Sequence, residues 1–354
     1  MSACDPLKVS VRDYQATDAE HVSALFRTVY GEHYVYPDVY LPSRIHAHNV
    51  SGAWRSAVAV RNGQLLGHAT LWRDAMQPGL AELALNVVHP DARGQRIASR
   101  IARHLRATAE QLGVGMMTIK QVCSHPRSQH VALALGFRST ALLIDYVESP
   151  FGKAERESIV VGCLPLRAWP LPRLDWPAPW HEWLDGLLEV FGEAPPVPDN
   201  AAMDFTLTRN GMRVVLEASR ISDVQIDEIA SLPARSLLDL ILPATTENLA
   251  YTPALMRRRF RFGGLLPAAH GGWRLLWLRE REPRKLHLCD RHAERLYQLY
   301  ADAERTAHAH DLHPANSASG NGVVHSASRS LTGRRLELGA VGVGPVAACA
   351  LPSR

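Results

Sequence analysis

The order of apolar and polar residues within the first half of the chain predicts a strand, a turn and a long helix. Residues 80–88 are dense in apolar side chains, which predicts a largely buried strand that stops at Pro90. Apolar residues then recur at helical spacing from Ile97 until Gly113, a residue typical of helix C-termini. The polar turn 93–95 lies between them and leads directly into the helix.

The same patterns predict elements on either side of this unit. Asn62-Gly63 is a strong two-residue hairpin turn between two apolar stretches. The other predictions for the first half are strands at 8–14, 56–60, 64–71, 116–122, 142–147 and 158–164, and helices ending at Tyr30 and spanning 128–135. Further along we expect strands at 205–209, 212–218, 236–242, 260–267 and 273–279, and helices at 180–191, 222–231, 248–259 and 291–310.

Composition limits the class of protein. The chain has 354 residues, enough for two domains, and 46% of them are hydrophobic. The net charge of +4 is small and spread out, so it favours an anionic ligand without arguing for nucleic acid. No apolar run reaches membrane-spanning length, and the first residues lack the apolar core of a signal peptide. We therefore expect a soluble, cytoplasmic protein with no membrane partner.

Cysteine and histidine spacing gives little reason to expect a metal. The five cysteines are scattered and form no CxxC pair, which indicates a reducing compartment and disfavours zinc; they are Cys4, Cys123, Cys163, Cys289 and Cys349. The histidines at 308, 310 and 313 are spaced two and three apart, and helical residues two apart face different sides. We expect no metal site.

The polar turn before the long helix has the chemistry of a phosphate site. The unpaired N–H groups of a helix N-terminus and the positive end of its dipole converge on one point. Arg93, Arg96 and Arg100 add positive charge around it. The expected ligand is a cofactor that carries a diphosphate.

This segment resembles motif A of the GCN5-related N-acetyltransferases, the GNAT family. Arg93 and Ala98 fill the first and last positions of that motif, whereas Arg96 stands where the family usually has glycine. Gly136-Phe137, after the predicted helix 128–135, is similar to the family's closing helix and strand. The resemblance implies an α/β fold with a mixed, mostly antiparallel sheet flanked by helices.

The resemblance also implies the ligand and the residues that hold it. The co-substrate would be acetyl-coenzyme A or another acyl-coenzyme A, and the acceptor an amine of a small molecule. The main chain of Val87 and Val88 would pair with the pantetheine arm, and a bulge there would direct an N–H at the thioester oxygen. The turn would hold the pyrophosphate through Arg93, Gly94, Gln95, Arg96, Ile97 and Ala98.

Acyl transfer to an amine needs a base, and the leaving thiolate needs a proton or stabilisation. Glu82 lies where family members often carry the base; a merely exposed strand-end carboxylate is the other reading. The family's usual acid is a tyrosine four residues before Gly-Phe, and that position is Ala132 here. Candidate replacements are His125, His130 and Tyr146. Alternatively the thiolate leaves without an acid, since the pKa of a thiol is about 8.5. A covalent route through Cys123 lacks a neighbouring base in sequence.

The acceptor side is less well defined. Tyr34, Tyr36 and Tyr40 lie in a proline-containing loop that, by resemblance, borders the acceptor site. Tyrosines suit the wall of a small-molecule site and a packed corner equally well. They indicate an apolar or aromatic acceptor.

Composition and element order divide the chain into four parts. We predict a GNAT acyltransferase domain at 1–167, a linker rich in proline and tryptophan at 168–200, a degenerate GNAT-like domain at 201–313 and a flexible tail at 314–354. The second domain repeats the element order of the first but has no equivalent of residues 93–98. It would cap the acceptor site or serve a homodimer.

Two other classes of function remain open. A protein that binds acyl-coenzyme A without catalysis would explain both Arg96 and Ala132. The basic run 257–261 could contact nucleic acid, although such a run is more often a solvated face, and we expect no nucleic-acid partner.

Overall fold

Twelve strands of the described chain form one continuous sheet. The computed structural model describes residues 9–149, 155–196, 205–282 and 284–310. A separate pair of two-residue strands, β8 and β9, lies outside that sheet. The strands are β1 (Ser10–Asp13), β2 (Trp54–Arg61), β3 (Gln64–Trp72), β4 (Leu80–Val88), β5 (Met116–Val122), β6 (Arg138–Val147), β7 (Glu157–Pro165), β8 (Leu171–Pro172), β9 (Glu193–Ala194), β10 (Phe205–Asn210), β11 (Arg213–Ala218), β12 (Leu237–Pro243), β13 (Phe260–Pro267) and β14 (Trp273–Arg279).

The helices cover both faces of the sheet. None of those in the described ranges is both long and apolar enough to cross a membrane. They are α1 (Ala19–Tyr30), α2 (Pro42–Ser51), α3 (Ile97–Gln111), α4 (Arg127–Leu135), α5 (His181–Phe191), α6 (Asp223–Ala230), α7 (Thr246–Ala250), α8 (Thr252–Arg257) and α9 (Arg291–His310).

The first half forms the part of the sheet ordered β1-β2-β3-β4-β5-β7-β6. Its neighbours are antiparallel except β4 and β5, which run parallel and are connected through α3. Alternation along the strands sends side chains to two cores. One core, with Phe26 and Ile45, lies under α1 and α2, and the other, with Ile101 and Leu105, lies under α3 and α4. The predicted mixed, mostly antiparallel sheet is confirmed.

The segment predicted as a linker packs against the sheet where it is described. Trp169, Trp176, Trp180 and Trp183 are all buried, and Trp180 stacks on Phe262 of β13 with ring centroids 3.7 Å apart. Burial of these large aromatic surfaces is favourable and removes an aggregation hazard. The segment therefore belongs to the core between the two halves.

The second half repeats the strand pattern of the first. Its order β10-β11-β12-β14-β13 matches β3-β4-β5-β7-β6 strand for strand, including one parallel pair, β11 with β12. The parallel pair is connected through α6, and α7 and α8 occupy the place of α4.

The two halves join edge to edge between β6 and β13. Gly264 pairs with Ala141, and a Cβ at Gly264 would overlap the carbonyl oxygen of Thr140. Its φ of +109° also favours glycine. We predicted one sheet for each half, and the structure instead continues one sheet through both, because a residue without a side chain lets the edges approach.

A buried charge network reinforces this join. Asp239 of β12 accepts from Arg213 Nε at 2.5 Å and from Arg281 Nη2 at 2.6 Å. Arg281 also donates to the carbonyl of Ile144 in β6. Because all three charged side chains are buried, each depends on the others for its hydrogen bonds.

The predicted helix 248–259 is wrong in one respect. The structure breaks it into α7 and α8, with Tyr251 between them and Pro253 in the first turn of α8. Proline lacks the N–H that would continue the first helix, so a new helix starts at that point.

Candidate active site

The parallel strands β4 and β5 separate halfway along their length. Residues 80–83 pair with 116–119, and within the described chain residues 84–88 pair with β3 alone. A bulge in β4 lies where the strands part: Leu85 has a φ of +52°, and Leu85 and Asn86 oppose a single residue of β3. Val87 and Val88 are buried, and among the described residues the β5 side of their main chain has no strand partner.

The turn that follows β4 ends at an uncapped helix N-terminus. Gly94 has a φ of +78°, and Arg96, the residue before α3, has a φ of +58°. No side chain caps α3, and its first turn holds no acidic residue. Gly67 of β3 lets α3 sit close to the sheet, because a Cβ there would lie 2.8 Å from the Ile97 side chain. Helix geometry leaves the N–H groups at 97–99 without intrahelical acceptors.

These features fit an acyl-coenzyme A. The separation of β4 from β5 leaves main-chain groups of β4 without a strand partner, and an extended arm could pair with them. The helix terminus suits a diphosphate. Arg96 occupies the left-handed conformation that glycine usually supplies, with its side chain exposed. The structure therefore accommodates the departure from the family pattern at this position.

The equivalent positions of the second half lack these features. β11 and β12 stay paired from Arg213–Leu237 to Glu217–Ile241. The N-terminus of α6 is closed by a capping box of Ser222 and Gln225, and Asp223 adds a negative charge to its first turn. A phosphate would compete there with the Ser222–Gln225 capping bonds and meet the repelling carboxylate of Asp223.

A cavity of about 230 Å³ lies between the two halves. Glu82 of β4, Lys120 of β5 and Tyr146 of β6 line it from the first half. Arg213 of β11 and Arg274 of β14 line it from the second. The second half therefore forms a wall of the same cavity that contains Glu82.

Glu82 is a buried carboxylate, and only one of its two oxygens has a hydrogen-bond partner among the described residues. Its Oε2 accepts from Lys120 Nζ at 2.8 Å, and the two side chains are 13% and 16% exposed. Its Oε1 is buried and has no hydrogen-bond partner among the described residues. Burial raises the pKa of Glu82, and the Lys120 charge offsets part of that rise. Burial lowers the pKa of Lys120, but Glu82 and Tyr146 together outweigh burial, so that the pKa of Lys120 is raised.

Two cations approach the ring of Tyr146, one from each wall of the cavity. Lys120 Nζ is 5.8 Å from the centroid of its ring and the Arg213 guanidinium is 4.2 Å from it. Tyr146 itself is buried. The ring of Tyr146 therefore lies within cation–π distance of one charged group from each half.

The other sequence candidates lie away from the cavity lining. His125 follows β5, and His130 is an exposed residue of α4. Cys123 is buried, which raises the pKa of its thiol and disfavours nucleophilic attack. Ala132 is buried in α4 and offers no hydroxyl. The structure thus brings Glu82 and Tyr146 together and leaves His125 apart.

The three loop tyrosines pack behind the cavity. Tyr34 is buried against Phe26 and Tyr30, and the Tyr40 hydroxyl accepts from the main-chain N–H of Tyr34. Tyr36 stacks edge-on against Trp72, which itself lines the cavity. None of the three is among the cavity-lining residues of the described chain.

Sequence reasoning missed Lys120 and the whole second-half wall. Lys120 is the one charged residue of the mostly apolar strand β5, and a charged residue inside a buried strand was a usable indication. Arg213 and Arg274 also lie in mostly apolar strands, but the sequence does not show that these strands face Glu82, because only the three-dimensional fold brings them there.

The structure also bears on the two segments that were considered for metal and for nucleic acid. Among the described residues, no three His, Cys, Asp or Glu side chains are grouped so as to hold a metal. The histidine run ends at His313, which lies outside the described residues. In the basic run, Arg258 pairs with Asp227, and Arg259 and Arg261 both pair with Glu280.

Comparison with known proteins assigns residues 20–137, a part of the first half, to a family. Residues 20–137 match the model of the Acetyltransferase (GNAT) family, so they form a GNAT domain. A search of the curated proteins found no match.

Solved structures of acetyltransferases resemble part of the chain. A GCN5-related N-acetyltransferase from Kribbella flavida is 21% identical, with a TM-score of 0.39. The match covers 46% of this chain and 100% of the Kribbella protein. The ribosomal-protein-S18-alanine N-acetyltransferase from Escherichia coli is 18% identical, with a TM-score of 0.38. The match covers 45% of this chain and 95% of the Escherichia coli enzyme. The yncA protein of Salmonella typhimurium, solved with its cofactor acetyl-CoA, is 19% identical, with a TM-score of 0.37. The match covers 45% of this chain and 94% of the yncA protein. At these identities and scores the likeness carries no information on the acceptor.

Proposed function

We propose that this protein is an acyl-coenzyme A-dependent N-acyltransferase, with acetyl-coenzyme A as donor and a small-molecule amine as acceptor. The observation that carries the proposal is the Glu82 carboxylate, which lines a cavity beside the opening of β4 and β5 and has one oxygen unpaired. The GNAT domain at residues 20–137 supports acyl transfer as the class of reaction.

Each part of the site has a distinct role in this proposal. The turn 93–98 holds the pyrophosphate through main-chain N–H groups and through Arg93 and Arg96. The main chain of Val87 and Val88 pairs with the pantetheine arm. The donor supplies a thioester carbonyl, and an N–H at the β4 bulge stabilises the charge that develops on its oxygen.

Glu82 is the proposed general base. An ammonium has no free electron pair, so the acceptor must lose a proton before its nitrogen bonds to the acyl carbon and the carbon–sulfur bond breaks. A carboxylate whose pKa is raised by burial is a stronger proton acceptor than an exposed one. Tyr146 is the proposed acid that returns a proton to the sulfur, and His125 is set aside because it is not on the cavity wall.

A protein that binds acyl-coenzyme A without catalysis is the alternative. It is favoured by Ala132, which leaves the family's usual acid position without a hydroxyl. The pairing of Glu82 with Lys120 also fits a purely structural carboxylate.

The test is thiol release from acetyl-coenzyme A across a panel of amines and amino acids. We expect release with at least one acceptor, a loss of about 10²-fold or more in Glu82→Gln, and weaker donor binding in Arg93→Ala. Tyr146→Phe should lower kcat while leaving donor binding intact. Donor binding without release from any acceptor would establish the non-catalytic alternative.

We further propose that the second half is a degenerate GNAT-like domain. The matching strand order supports this, and the closed β11–β12 pair and capped α6 support loss of donor binding. A cytoplasmic location is proposed from the free cysteines Cys123, Cys163 and Cys289.

A further inference from the structure

The two walls of the active-site cavity carry opposite net charge. From the first half, Asp74 and Glu82 are opposed by Lys120 alone, which leaves a net charge of −1. From the second half, Arg213 and Arg274 are opposed by Glu217 alone, which leaves +1.

The groups behind the second-half wall do not change that balance. Asp239 bonds Arg213 from behind, and Arg281 bonds the same Asp239. One negative and one positive charge are therefore added, and the sum for this wall stays at +1. The cavity is thus dipolar: its first-half wall, which contains the proposed base, carries the excess negative charge of Asp74, because Lys120 pairs with Glu82.

Each wall also keeps hydrogen-bonding capacity for a ligand. Glu82 Oε1 is an unpaired buried acceptor, which an amine N–H would satisfy. Arg274 binds Glu217 through Nη1 at 2.9 Å, and a guanidinium has further N–H donors suited to a carboxylate. Arg274 is about one-third exposed, so these donors can be reached from the cavity.

The size and remaining lining limit the acceptor further. A volume of about 230 Å³ is below the range of about 300–1,000 Å³ that is usual for drug-sized ligands. The rest of the wall is mainly apolar; its members include Trp72, Leu80, Leu143, Val161, Val215, Ile241 and Leu266. A small molecule with an apolar body fits this space.

We infer that the acceptor is an amino-acid-like zwitterion, whose amine faces Glu82 and whose carboxylate is bound by Arg274 of the second half. This inference rests on the proposed function and gives the second half a role as the specificity-determining wall of the site. Arg274 acts here by binding the acceptor, at a distance from the reacting bond.

The experiment compares each amino acid with its decarboxylated amine. Binding of L-phenylalanine against phenethylamine, and of L-leucine against isoamylamine, is measured by calorimetry with coenzyme A present. We expect at least one amino acid to bind about tenfold or more tightly than its partner amine. Arg274→Met should abolish that preference, and Arg274→Lys should restore part of it.

Two further variants separate recognition from misfolding. Glu217→Gln releases Arg274 from its partner and should increase the preference for the carboxylated probe, the opposite direction to a folding defect. Arg258→Met is the matched control, because Arg258 is a second-half arginine paired with Asp227 outside the cavity lining, and it should leave the preference unchanged.

Measuring both binding and turnover separates the inference on acceptor recognition from the proposed acyl transfer. Equal affinity within each pair, failure of every carboxylated probe to bind, or a preference that survives Arg274→Met overturns the inference. If phenethylamine and isoamylamine are acylated as well as the amino acids, the proposed function stands and the inference fails. If the preference is found without thiol release, the inference on recognition stands and the proposed function fails.

Discussion

Replacing Lys120 with methionine tests whether Glu82 is the general base. A base must be ionised to accept a proton, so activity rises with pH through the pKa of Glu82. Burial already raises that pKa, and Lys120, 2.8 Å away, is the charge that opposes the rise. Lys120→Met removes the opposing charge and keeps most of the side-chain volume, so the pKa of Glu82 should rise further.

The size of the effect follows from the geometry. Two unit charges 2.8 Å apart attract by about 6 kcal/mol at an effective dielectric constant of about 20. Desolvation of both groups cancels part of this, and an adjacent opposite charge typically shifts a carboxyl pKa by about 1–3 units. We therefore expect the acidic limb of kcat/KM to move about 1–3 pH units towards alkaline pH.

The assay is initial-rate thiol release between acid and neutral pH, with Lys285→Met as the control. Lys285 is exposed, so its loss should leave the limb in place. Glu82→Gln should remove the limb and lower the rate at every pH. An acidic limb at the same pH in Lys120→Met and in the unaltered protein would refute the assignment of Glu82.

Three other predictions follow from the structure. Asp239→Asn should lower the free energy of unfolding by about 3–5 kcal/mol in denaturant titrations, because two buried arginines lose their counter-charge. Asp227→Asn, which alters an exposed ion pair, should leave the denaturation midpoint almost unchanged. Gly264→Ala should lower the melting temperature more than Gly211→Ala: both glycines have a positive φ, but only the first has backbone where a Cβ would go. Arg93→Ala should raise the Kd for coenzyme A about tenfold and leave the affinity for the acceptor unchanged, as equilibrium dialysis of each ligand would show. Equal losses within the aspartate or glycine pair, or an unchanged Kd, would contradict the respective argument.

Most elements of the fold could be predicted because their determinants are local. Asn62-Gly63 sets a hairpin, Gly113 and Gly136 end helices, and apolar alternation marks the strands. The helix break at Tyr251 was missed because the helical periodicity of the apolar residues runs through Pro253 without interruption.

The join between the halves could not be predicted in this way. Gly263-Gly264 is visible in the sequence, but a glycine pair does not reveal that its partner is Ala141, more than a hundred residues earlier. Register between distant strands depends on how the whole sheet packs.

The part of the candidate site that comes from consecutive elements could be predicted, and the part that comes from distant strands could not. Glu82 and the turn 93–98 could be proposed from sequence because β4, the turn and α3 are consecutive. The opposing wall, with Arg213 and Arg274, comes from strands of the second half, and only the continuous sheet brings it to the cavity.

The central claim is that a single donor site exists, at the opening of β4 and β5 and the uncapped end of α3. Calorimetric titration of the full-length protein with acetyl-coenzyme A measures the number of sites directly. We expect one molecule bound per chain, with the site lost or strongly weakened in Arg93→Ala. Two molecules per chain would contradict the closed state of the second half, and no binding would contradict the account as a whole.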